Sequence, residues 1–563
     1  MRIGIIGGGP SGLYLFKQLI ESGRTDFRVS IFERKQQLGA GMPYSRDGSN
    51  KEHITNVSGN EIPDLDQAVA DWVKSVDRDT LNRFHVSADH FNEYKVLPRL
   101  LFGNYLADQF ATLLRKAKES GIKTETYFGT NVNDLVDEQE YISVDTDKGT
   151  FEFDKVAICT GHHWPKTSEG KIQGFFDSPY PPAKLELKLD HPVGIKGSSL
   201  TAIDAVRTIA RCNGKFIEIK ERKLNYELNP DSQGLKILMH SRNGLLPAVR
   251  FHLEDTHLGK NAILSNEEID KNRAENQGFL SLDYVFEKNF KEPIREKEPE
   301  SYKKIEKMNM EAFVDMVMNQ REHIEPFLLF KAEYLEAEKS IKRRESVYWK
   351  EMLGALSFAM NYPAKYFSAE DTLRLQHTLM PLISVVIAYV PQDSVIEMLA
   401  LYEAGVLDLV TVGEHSQVKP IQDGGAVYHY GDGQAIHFNT YIDATGQPHL
   451  NLEDIPFESL KKGRVLSRAS LQFRDPAKGK KLLERGQEKV MLGQDGNYYL
   501  YVPGVTINDS FQVIDSYGAL NERLFLMAVP YIKGYNPDYS GLDFCEEASS
   551  RIVRCIFQEN SKT

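Results

Sequence analysis

The amino-terminal stretch RIGIIGGGPSGLYLFKQLIESG, residues 2–23, decides the fold of this chain. Its first apolar residues are typical of a short buried strand, and apolar residues recur at helical spacing after Pro10. Between them, Gly7, Gly9 and Gly12 form the pattern GxGxxG. One glycine permits a tight turn, one lets the backbone approach a pyrophosphate, and one lets helix and strand pack closely. The stretch therefore predicts a dinucleotide-binding unit in which free helical N–H groups face the phosphates.

A second predicted strand, residues 27–32, ends in Glu33, which lies 21 residues after Gly12. This is the spacing expected for a carboxylate that binds the ribose hydroxyls of a dinucleotide. The alternative is a glycine turn in an ordinary α/β unit. The residues expected to hold the first dinucleotide are Gly7, Gly9, Pro10, Ser11, Gly12, Glu33 and Arg34.

Length and composition narrow the class of protein. A chain of 563 residues predicts about two to four domains, because a single hydrophobic core does not grow that large. The formal net charge of −12 argues against a nucleic-acid binder that tracks phosphates. The hydrophobic content of 41% and the charged content of 26% are those of a globular protein and not of a disordered one.

Four cysteines are spread along the chain without a CxxC pair. This excludes a redox disulfide built from adjacent cysteines and a zinc ribbon, and it fits a reducing compartment. No apolar run approaches the roughly 18 residues of a membrane-spanning helix, and the first one is too short for a signal peptide. We therefore expect a soluble cytoplasmic enzyme with no metal site and with neither a membrane nor a nucleic acid as partner.

Further short motifs follow the first unit in a recognisable order. They are GAGMPY at 39–44, HITNV at 53–57 and PRLLFGNY at 98–105. Together with the glycine turn they resemble the bacterial FAD-NAD(P)-binding protein family, which is related to flavin-containing and amino-acid N-monooxygenases. The resemblance covers most of residues 1–260 and returns at 440–550. It implies that the first site holds FAD, with further contacts from Gly41, Pro43, Tyr44 and Asn56.

The segment FDKVAICTGHH, residues 153–163, is a predicted strand that runs into a turn of small residues. It is similar to the segment of flavin-containing monooxygenases that passes close to FAD before the chain enters a second nucleotide domain. Close approach of the backbone requires small residues, so Thr160 and Gly161 are expected contacts. His162 and His163 are candidates for catalysis, but polar turn residues are the favoured interpretation.

The segment HPVGIKGSSLTA, residues 191–202, predicts a second strand, turn and helix. The family pattern is GxGLTA, and this chain has Ser199 in place of the middle glycine. A side chain there is expected to crowd a pyrophosphate that needs backbone contact, which places tight NAD(P) binding in doubt. The expected contacts of this turn are Gly197, Ser198, Leu200 and Thr201.

The second ribose strand is followed by Ser241 and Arg242 and does not end in an acid. A guanidinium suits a 2′-phosphate, so these two residues favour NADPH over NADH. The alternative is an arginine that pairs with a surface carboxylate. Arg242 lies 43 residues after Ser199, against roughly 20 in a plain unit, and the excess at about 217–234 predicts a surface hairpin or loop.

The rest of the chain predicts a helical segment and a return to the first domain. Residues 262–400 are rich in charged residues at helical spacing and predict an insertion or lid. Thr445 and Gly446 repeat the small-residue crossing seen at 160–161.

Near the end of the sequence, Ser540 and Asp543 fit a capping pattern for a helix that begins at Gly541. The N-terminus of this helix, with Gly541 and Leu542, is expected to face the flavin.

The expected fold class is α/β, with two Rossmann-like dinucleotide-binding domains and a helical insertion. The FAD-binding domain is expected to be discontinuous, with its first part at 1–188 and its second part at 446–563. The NAD(P)-binding domain is expected at 189–261 and 401–445, and the helical insertion at 262–400.

The resemblance implies oxygen chemistry, in which NADPH reduces FAD, O₂ adds at flavin C4a, and an amine attacks the hydroperoxide. We therefore expect an FAD- and NADPH-dependent monooxygenase that hydroxylates a small amine or amino acid. Its partners are that small-molecule substrate and O₂, and no catalytic residue is assigned because the cofactor performs the hard step. Two alternatives stay open, a flavin oxidoreductase with another acceptor and a flavin-binding partner protein without catalysis, and Ser199 favours both.

Overall fold

A computed structural model describes residues 1–220, 222–253, 264–431, 433–537 and 541–558. Its first sheet has six strands, in the order Gln512–Ile514, Leu520–Leu526, Lys155–Ile158, Arg2–Ile6, Arg28–Glu33 and Lys123–Phe128. Neighbouring strands are parallel except for the first pair. The central strand is buried because its apolar residues face packed helices on both sides, and Ile5 lies opposite Ile31 and Ala157.

Three long helices pack around this sheet, Pro10–Glu21, Arg99–Glu119 and Leu542–Gln558. Phe16 of the first helix stacks on Phe110 of the second, with ring centroids 5.6 Å apart. Shorter helices of the same part of the chain are Val69–Ser75, Arg78–Arg83, Glu458–Lys462 and Pro476–Glu484.

The second sheet has five parallel strands, in the order Leu407–Thr411, Lys236–Ser241, Pro192–Lys196, Thr440–Asp443 and Phe175–Phe176. The short strand Phe175–Phe176 belongs to it although it precedes residue 189. Helix Leu200–Asn213 follows its central strand and buries Val206 and Ile209 in a shared core. The two sheets, one wholly and one mainly parallel, confirm the predicted fold class.

The residues that the structure describes also form four antiparallel elements. Three of them have three strands each, and the fourth is a hairpin that lies where the stretched spacing predicts one. They are Val132–Asp137 with Ile142–Thr146 and Gly149–Phe153; Gln417–Pro420 with Ala426–Tyr430 and Gln434–Phe438; Arg468–Gln472 with Tyr498–Val505 and Val490–Leu492; and the hairpin Gly214–Lys220 with Lys223–Leu228.

Residues 266–403 form a helical region that is packed largely around a core of its own, in which Phe290 contacts Phe286 and Phe313. Two single π-helical turns, Glu287–Lys291 and Leu375–Leu379, interrupt it. Its α-helices are Asn266–Glu275, Leu282–Phe286, Glu292–Lys297, Pro299–Ile305, Met310–Glu322, Pro326–Arg343, Tyr348–Ala359, Ala369–Arg374, Met380–Val386 and Gln392–Glu403. In the part of the chain that the structure describes, no helix is both long and apolar enough to cross a membrane.

A buried ion pair joins the two sheet domains. Arg99, at the start of its helix, places Nη1 2.5 Å from Oδ2 of Asp204 in helix Leu200–Asn213, and the two side chains are 14% and 6% exposed. Arg99 also donates to the carbonyl of Ile54 at 3.0 Å. Burial disfavours the charge on Arg99, but Asp204 outweighs it and raises the pKa of the guanidinium above its ordinary value. The pair therefore links the two sheet domains directly.

We expect Asp204→Ala to cost about 3–5 kcal/mol of stability, because it leaves the buried Arg99 charge unpaired. The double variant Arg99→Met with Asp204→Leu should recover most of that loss, since it removes both charges. Urea unfolding followed by circular dichroism measures the change. As a control, Asp26→Ala breaks the exposed pair of Arg24 and Asp26 and should leave the midpoint almost unchanged.

Candidate functional site

The first glycine turn leaves no room for side chains. Gly7 adopts φ +108°, and a Cβ added to it would lie 2.7 Å from the carbonyl oxygen of Cys159. A Cβ on Gly12 would lie 2.3 Å from the carbonyl oxygen of Gly7. The turn is therefore held directly against the chain that crosses beside it, at the carboxyl edge of the first sheet.

A second glycine-rich turn closes over the first. A Cβ on Gly9 would lie 3.3 Å from Cα of Gly41, and the N–H of Gly39 donates to the carbonyl of Gly8 at 2.7 Å. Gly9 is the N-cap of helix Pro10–Glu21, and no side chain caps that helix. The first N–H groups of the helix therefore remain free for the pyrophosphate of a dinucleotide.

Glu33 lies beside this turn, as its spacing predicts. Its carboxylate accepts the backbone N–H groups of Gly8 and Lys35, each at 2.9 Å, while Arg34 is exposed. These two bonds hold the carboxylate at the end of its strand, where a ribose is expected.

The other residues expected at the first site, Pro43, Tyr44 and Asn56, make contacts with other residues of the protein. Tyr44 packs edge-on against Phe102, and burial raises the pKa of its phenol to about 12. The carbonyl of Pro43 accepts the hydroxyl of Ser49 at 2.7 Å. The carbonyl of Asn56 accepts a hydrogen bond from the buried guanidinium of Arg250. Sequence reasoning did not predict a role for Arg250.

The last helix lies alongside the first. Oγ of Ser11, near the start of the first helix, is 3.5 Å from Sγ of Cys545, near the start of the last. Just past the end of the first helix, the guanidinium carbon of Arg24 lies 5.0 Å from the ring centroid of Phe557, near the end of the last helix. The two helices therefore run in the same direction and present their N-termini side by side. This helix begins at Leu542, one residue later than predicted, because Gly541 adopts φ +102°. The predicted cap, Ser540, lies outside the described residues.

The two small-residue crossings are tied together by one glutamine. Oε1 of Gln447 accepts the N–H of His163 at 2.9 Å, and its Nε2 donates to the carbonyl of the same residue at 2.6 Å. Nε1 of Trp164 donates to the carbonyl of Gly446 at 2.9 Å. Nδ1 of His162 also lies 3.2 Å from Gln447 Oε1. These contacts bring Thr160 and Gly161 close to Thr445 and Gly446, and they give both histidines a structural role in the turn.

The second turn repeats the geometry of the first. Gly197 adopts φ +114°, and a Cβ on it would lie 2.7 Å from the carbonyl oxygen of Ala444, just as Gly7 faces Cys159. Ser198 donates its hydroxyl to the carbonyl of Leu245 at 2.7 Å. Thr201 lies near the second crossing, since its Oγ1 is 3.9 Å from the Cβ position of Gly446.

Ser199 occupies the position that Gly9 has in the first turn. It is the N-cap of helix Leu200–Asn213, its backbone angles of φ −89° and ψ −169° resemble the −76° and −163° of Gly9, and its side chain makes no cap bond. The residue is exposed. The N–H groups of the helix are therefore as free as those of the first site, although a side chain stands beside them.

Ser241 and Arg242 lie at the carboxyl end of the neighbouring strand, Lys236–Ser241. Nη1 of Arg242 is 3.6 Å from Oε2 of Glu414, and the two side chains are 69% and 73% exposed. An ion pair this exposed is weak, so the guanidinium is accessible to a phosphate.

Two family models match this chain. Residues 4–163 match the model described as FAD-NAD(P)-binding, and residues 265–387 match the YdhS-like middle domain. The first match covers the glycine turn, Glu33 and the first crossing, and it confirms the predicted resemblance and the expected cofactors, FAD and a nicotinamide dinucleotide. The second match lies within the helical region.

A curated relative and several solved structures resemble the whole chain, and three of these proteins illustrate the likeness. Uncharacterized protein YdhS of Escherichia coli strain K12 is 27% identical over 570 residues, which cover 100% of this chain and 98% of that protein. The reduced ornithine hydroxylase PvdA from Pseudomonas aeruginosa is 11% identical, with a TM-score of 0.51 and 99% of each chain covered. The ornithine N-hydroxylase KtzI from Kutzneria sp. 744 is 13% identical, with a TM-score of 0.47 and coverage of 100% and 99%.

At this level of identity, the similarity to PvdA establishes a shared fold. Together with the FAD-NAD(P)-binding model, it supports the expectation of an FAD-dependent oxidoreductase.

We expect Gly9→Val to purify without flavin, because a side chain at residue 9 meets Gly41 where the pyrophosphate must approach the backbone. The matched control is Ser199→Val, the same change at the corresponding position of the second turn, which should keep its flavin. Absorbance of released flavin per mole of folded protein gives the result. A Gly9→Val protein that carries a full complement of FAD would refute the assignment of the first turn.

Proposed function

We propose that the protein is an FAD-dependent monooxygenase that uses NADPH to hydroxylate a small amine or amino acid. The observation that carries the proposal is the pairing of two equivalent glycine turns, at Gly7 and Gly197, with two crossings that Gln447 joins. The carboxyl edges of both sheets are thereby brought to one place, where a reduced nicotinamide can meet a flavin.

The residues present fit both cofactors. The helix after Gly9 offers uncapped N–H groups for the pyrophosphate of FAD. Glu33 accepts the N–H of Gly8 and follows the turn at the sequence spacing expected for a carboxylate that binds the ribose. The helix after Ser199 offers a second uncapped N-terminus, and Arg242 is exposed at the end of the next strand. When bound, the flavin supplies the redox and oxygen chemistry.

The residues of the chain itself hold the two binding sites together, and its cysteines argue against one other kind of flavin chemistry. Gln447 keeps the two crossings at a fixed distance, so the binding sites cannot drift apart without breaking its two bonds to His163. The sequence has no CxxC pair, which argues against disulfide reduction by adjacent cysteines. Cys159 and Cys545 are buried, and burial raises the pKa of both thiols, so they stay protonated at neutral pH.

Substrate hydroxylation can be separated from other flavin chemistry by stopped-flow spectroscopy. We expect NADPH to reduce the bound flavin rapidly under anaerobic conditions. Mixing with aerated buffer should then give a spectroscopically distinct transient that decays faster when an amine substrate is present. Fast reoxidation without such a transient would support a flavin oxidoreductase with another acceptor, and failure of reduction would support a non-catalytic flavoprotein.

Arg242 should select NADPH over NADH. A charge-assisted hydrogen bond contributes roughly 1.5–3 kcal/mol, so we expect Arg242→Ala to raise the KM for NADPH by about 10- to 150-fold. The KM for NADH should be nearly unchanged, because NADH has no 2′-phosphate. The control is Glu414→Gln, which removes the surface ion pair and should not raise the KM for NADPH. Equal losses for both nucleotides would assign Arg242 a structural role.

A further inference from the structure

Helix Pro326–Arg343 carries apolar side chains on its outer side, where a surface helix is usually polar. Leu328 is 61% exposed and Leu335 is 54% exposed. They lie seven residues apart, which is two helical turns, so both project from the same side of the helix. The opposite side is buried, because Phe330 and Ala337 pack into the core of the second domain. The packing of the domain therefore does not account for the two exposed leucines.

An ion pair brings the tip of the β-hairpin of the second domain to the same helix. Arg222 at the tip pairs with Glu338 of the helix. Leu335 and Ile341, both exposed, lie three residues before and after Glu338, which makes them its neighbours on the helix surface. Ile219 of the hairpin is 51% exposed and lies three residues before Arg222. Exposed apolar side chains from two elements therefore lie on both sides of one ion pair.

The same surface carries cations that lack ion-pair partners. Among the described residues, six exposed cations at the hairpin tip and at the end of the helix form no ion pair, namely Lys220, Lys223, Lys339, Lys342, Arg343 and Arg344. The exposed acids near them are fewer, namely Glu218, Glu345 and Asp393. An excess of positive charge therefore remains here, on a chain whose net charge is −12. We call the six cations, together with Ile219, Leu335 and Ile341, the basic patch.

Other charged residues on the exposed part of the helix have partners. Nζ of Lys331 lies 3.4 Å from Oε1 of Glu403, and Oε2 of Glu336 lies 2.7 Å from Nζ of Lys350. Glu325 caps the start of the helix by accepting backbone N–H groups. Cations in the last turn favour the helix dipole, but the dipole does not explain the hairpin lysines or the exposed apolar residues. The basic patch is therefore suited to a partner that is both anionic and apolar.

We propose that the basic patch binds the surface of an anionic phospholipid bilayer. The lysines and arginines lie at the level of the lipid phosphates, and Ile219, Leu335 and Ile341 reach the boundary of the acyl chains. Such binding needs no helix that crosses the bilayer, because the helix lies along the surface. It revises the expectation that no membrane is a partner, which rests on the lack of a long apolar run in the sequence.

Other partners fit the basic patch less well. A second copy of the chain would bring the same unpaired cations together, and like charges repel. A nucleic acid would bind the cations through its phosphates but leave the isoleucines and leucines without a partner. A helix of another protein packs on a continuous apolar face, whereas Lys331 and Lys339 interrupt the leucines here. A lipid surface offers phosphates and hydrocarbon side by side.

Vesicle flotation tests the proposal with the flavin-loaded protein. We expect the protein to float with vesicles that contain phosphatidylglycerol and not with vesicles of phosphatidylcholine alone. Binding should weaken as salt is added, because the Debye length falls to about 10 Å at 0.1 M salt. The assay involves no flavin reduction, so its outcome is independent of the proposed monooxygenase activity.

Three variants separate the basic patch from the overall charge of the protein. Lys339→Gln with Lys342→Gln should lower the partition coefficient about 25-fold, since each lysine near an anionic lipid surface contributes about five-fold. The matched control is Lys478→Gln with Lys481→Gln, two exposed lysines at the same spacing in helix Pro476–Glu484, which should bind like the unaltered protein. Leu335→Ser should lower the partition coefficient about 10-fold but leave its salt dependence unchanged, because it removes no charge. All three should keep their flavin.

The proposal fails if the unaltered protein does not float with phosphatidylglycerol vesicles, or if it binds both kinds of vesicle equally. It also fails if the control at residues 478 and 481 loses as much binding as the change at residues 339 and 342. Binding of polyuridylate RNA without binding of vesicles would assign the basic patch to a nucleic acid. A dimer that Leu335→Ser dissociates, without vesicle binding, would assign it to a second copy of the chain.

Discussion

The structure depends on the close backbone approach that holds each of the two glycine turns against the chain crossing beside it. At Gly7 and at Gly197, the carbonyl of the crossing chain lies where a side-chain carbon would otherwise stand. Strand, turn and helix are thereby held against the adjacent crossing in both domains. The uncapped helix N-termini consequently lie at the carboxyl edges of the two sheets, which is where dinucleotides bind in this kind of fold.

The helical region forms ion pairs with both sheet domains. Glu397 binds Arg207 of the second domain at 2.7 Å, and Asp371 binds Arg474 of the first domain at 2.9 Å. Together with the buried pair of Arg99 and Asp204, these contacts connect all three parts of the chain. The helical region therefore has a charged contact with each of the two sheet domains.

The glycine turns and Glu33 could be predicted from the sequence because the constraint on each is local, and a short pattern with a fixed spacing expresses it. The crowding expected from Ser199 does not follow from the local pattern alone, since the room for its side chain depends on whether another turn closes over it, as Gly41 closes over Gly9. Gln447 was missed for a different reason. Its partner His163 is 284 residues away, and no local pattern records such a pairing.

The contact of Gln447 with His163 has a consequence for which residues the position can accept. Its side-chain amide binds the backbone of His163 as a peptide group of a neighbouring strand would, because its oxygen accepts the N–H and its nitrogen donates to the carbonyl. Glutamate has the length but lacks the donor, and asparagine has both groups but is one methylene shorter. One side chain thus supplies the hydrogen bonds that a neighbouring strand would supply. Few residue types can do this, so the choice of residue at position 447 is restricted although it lies outside every glycine motif.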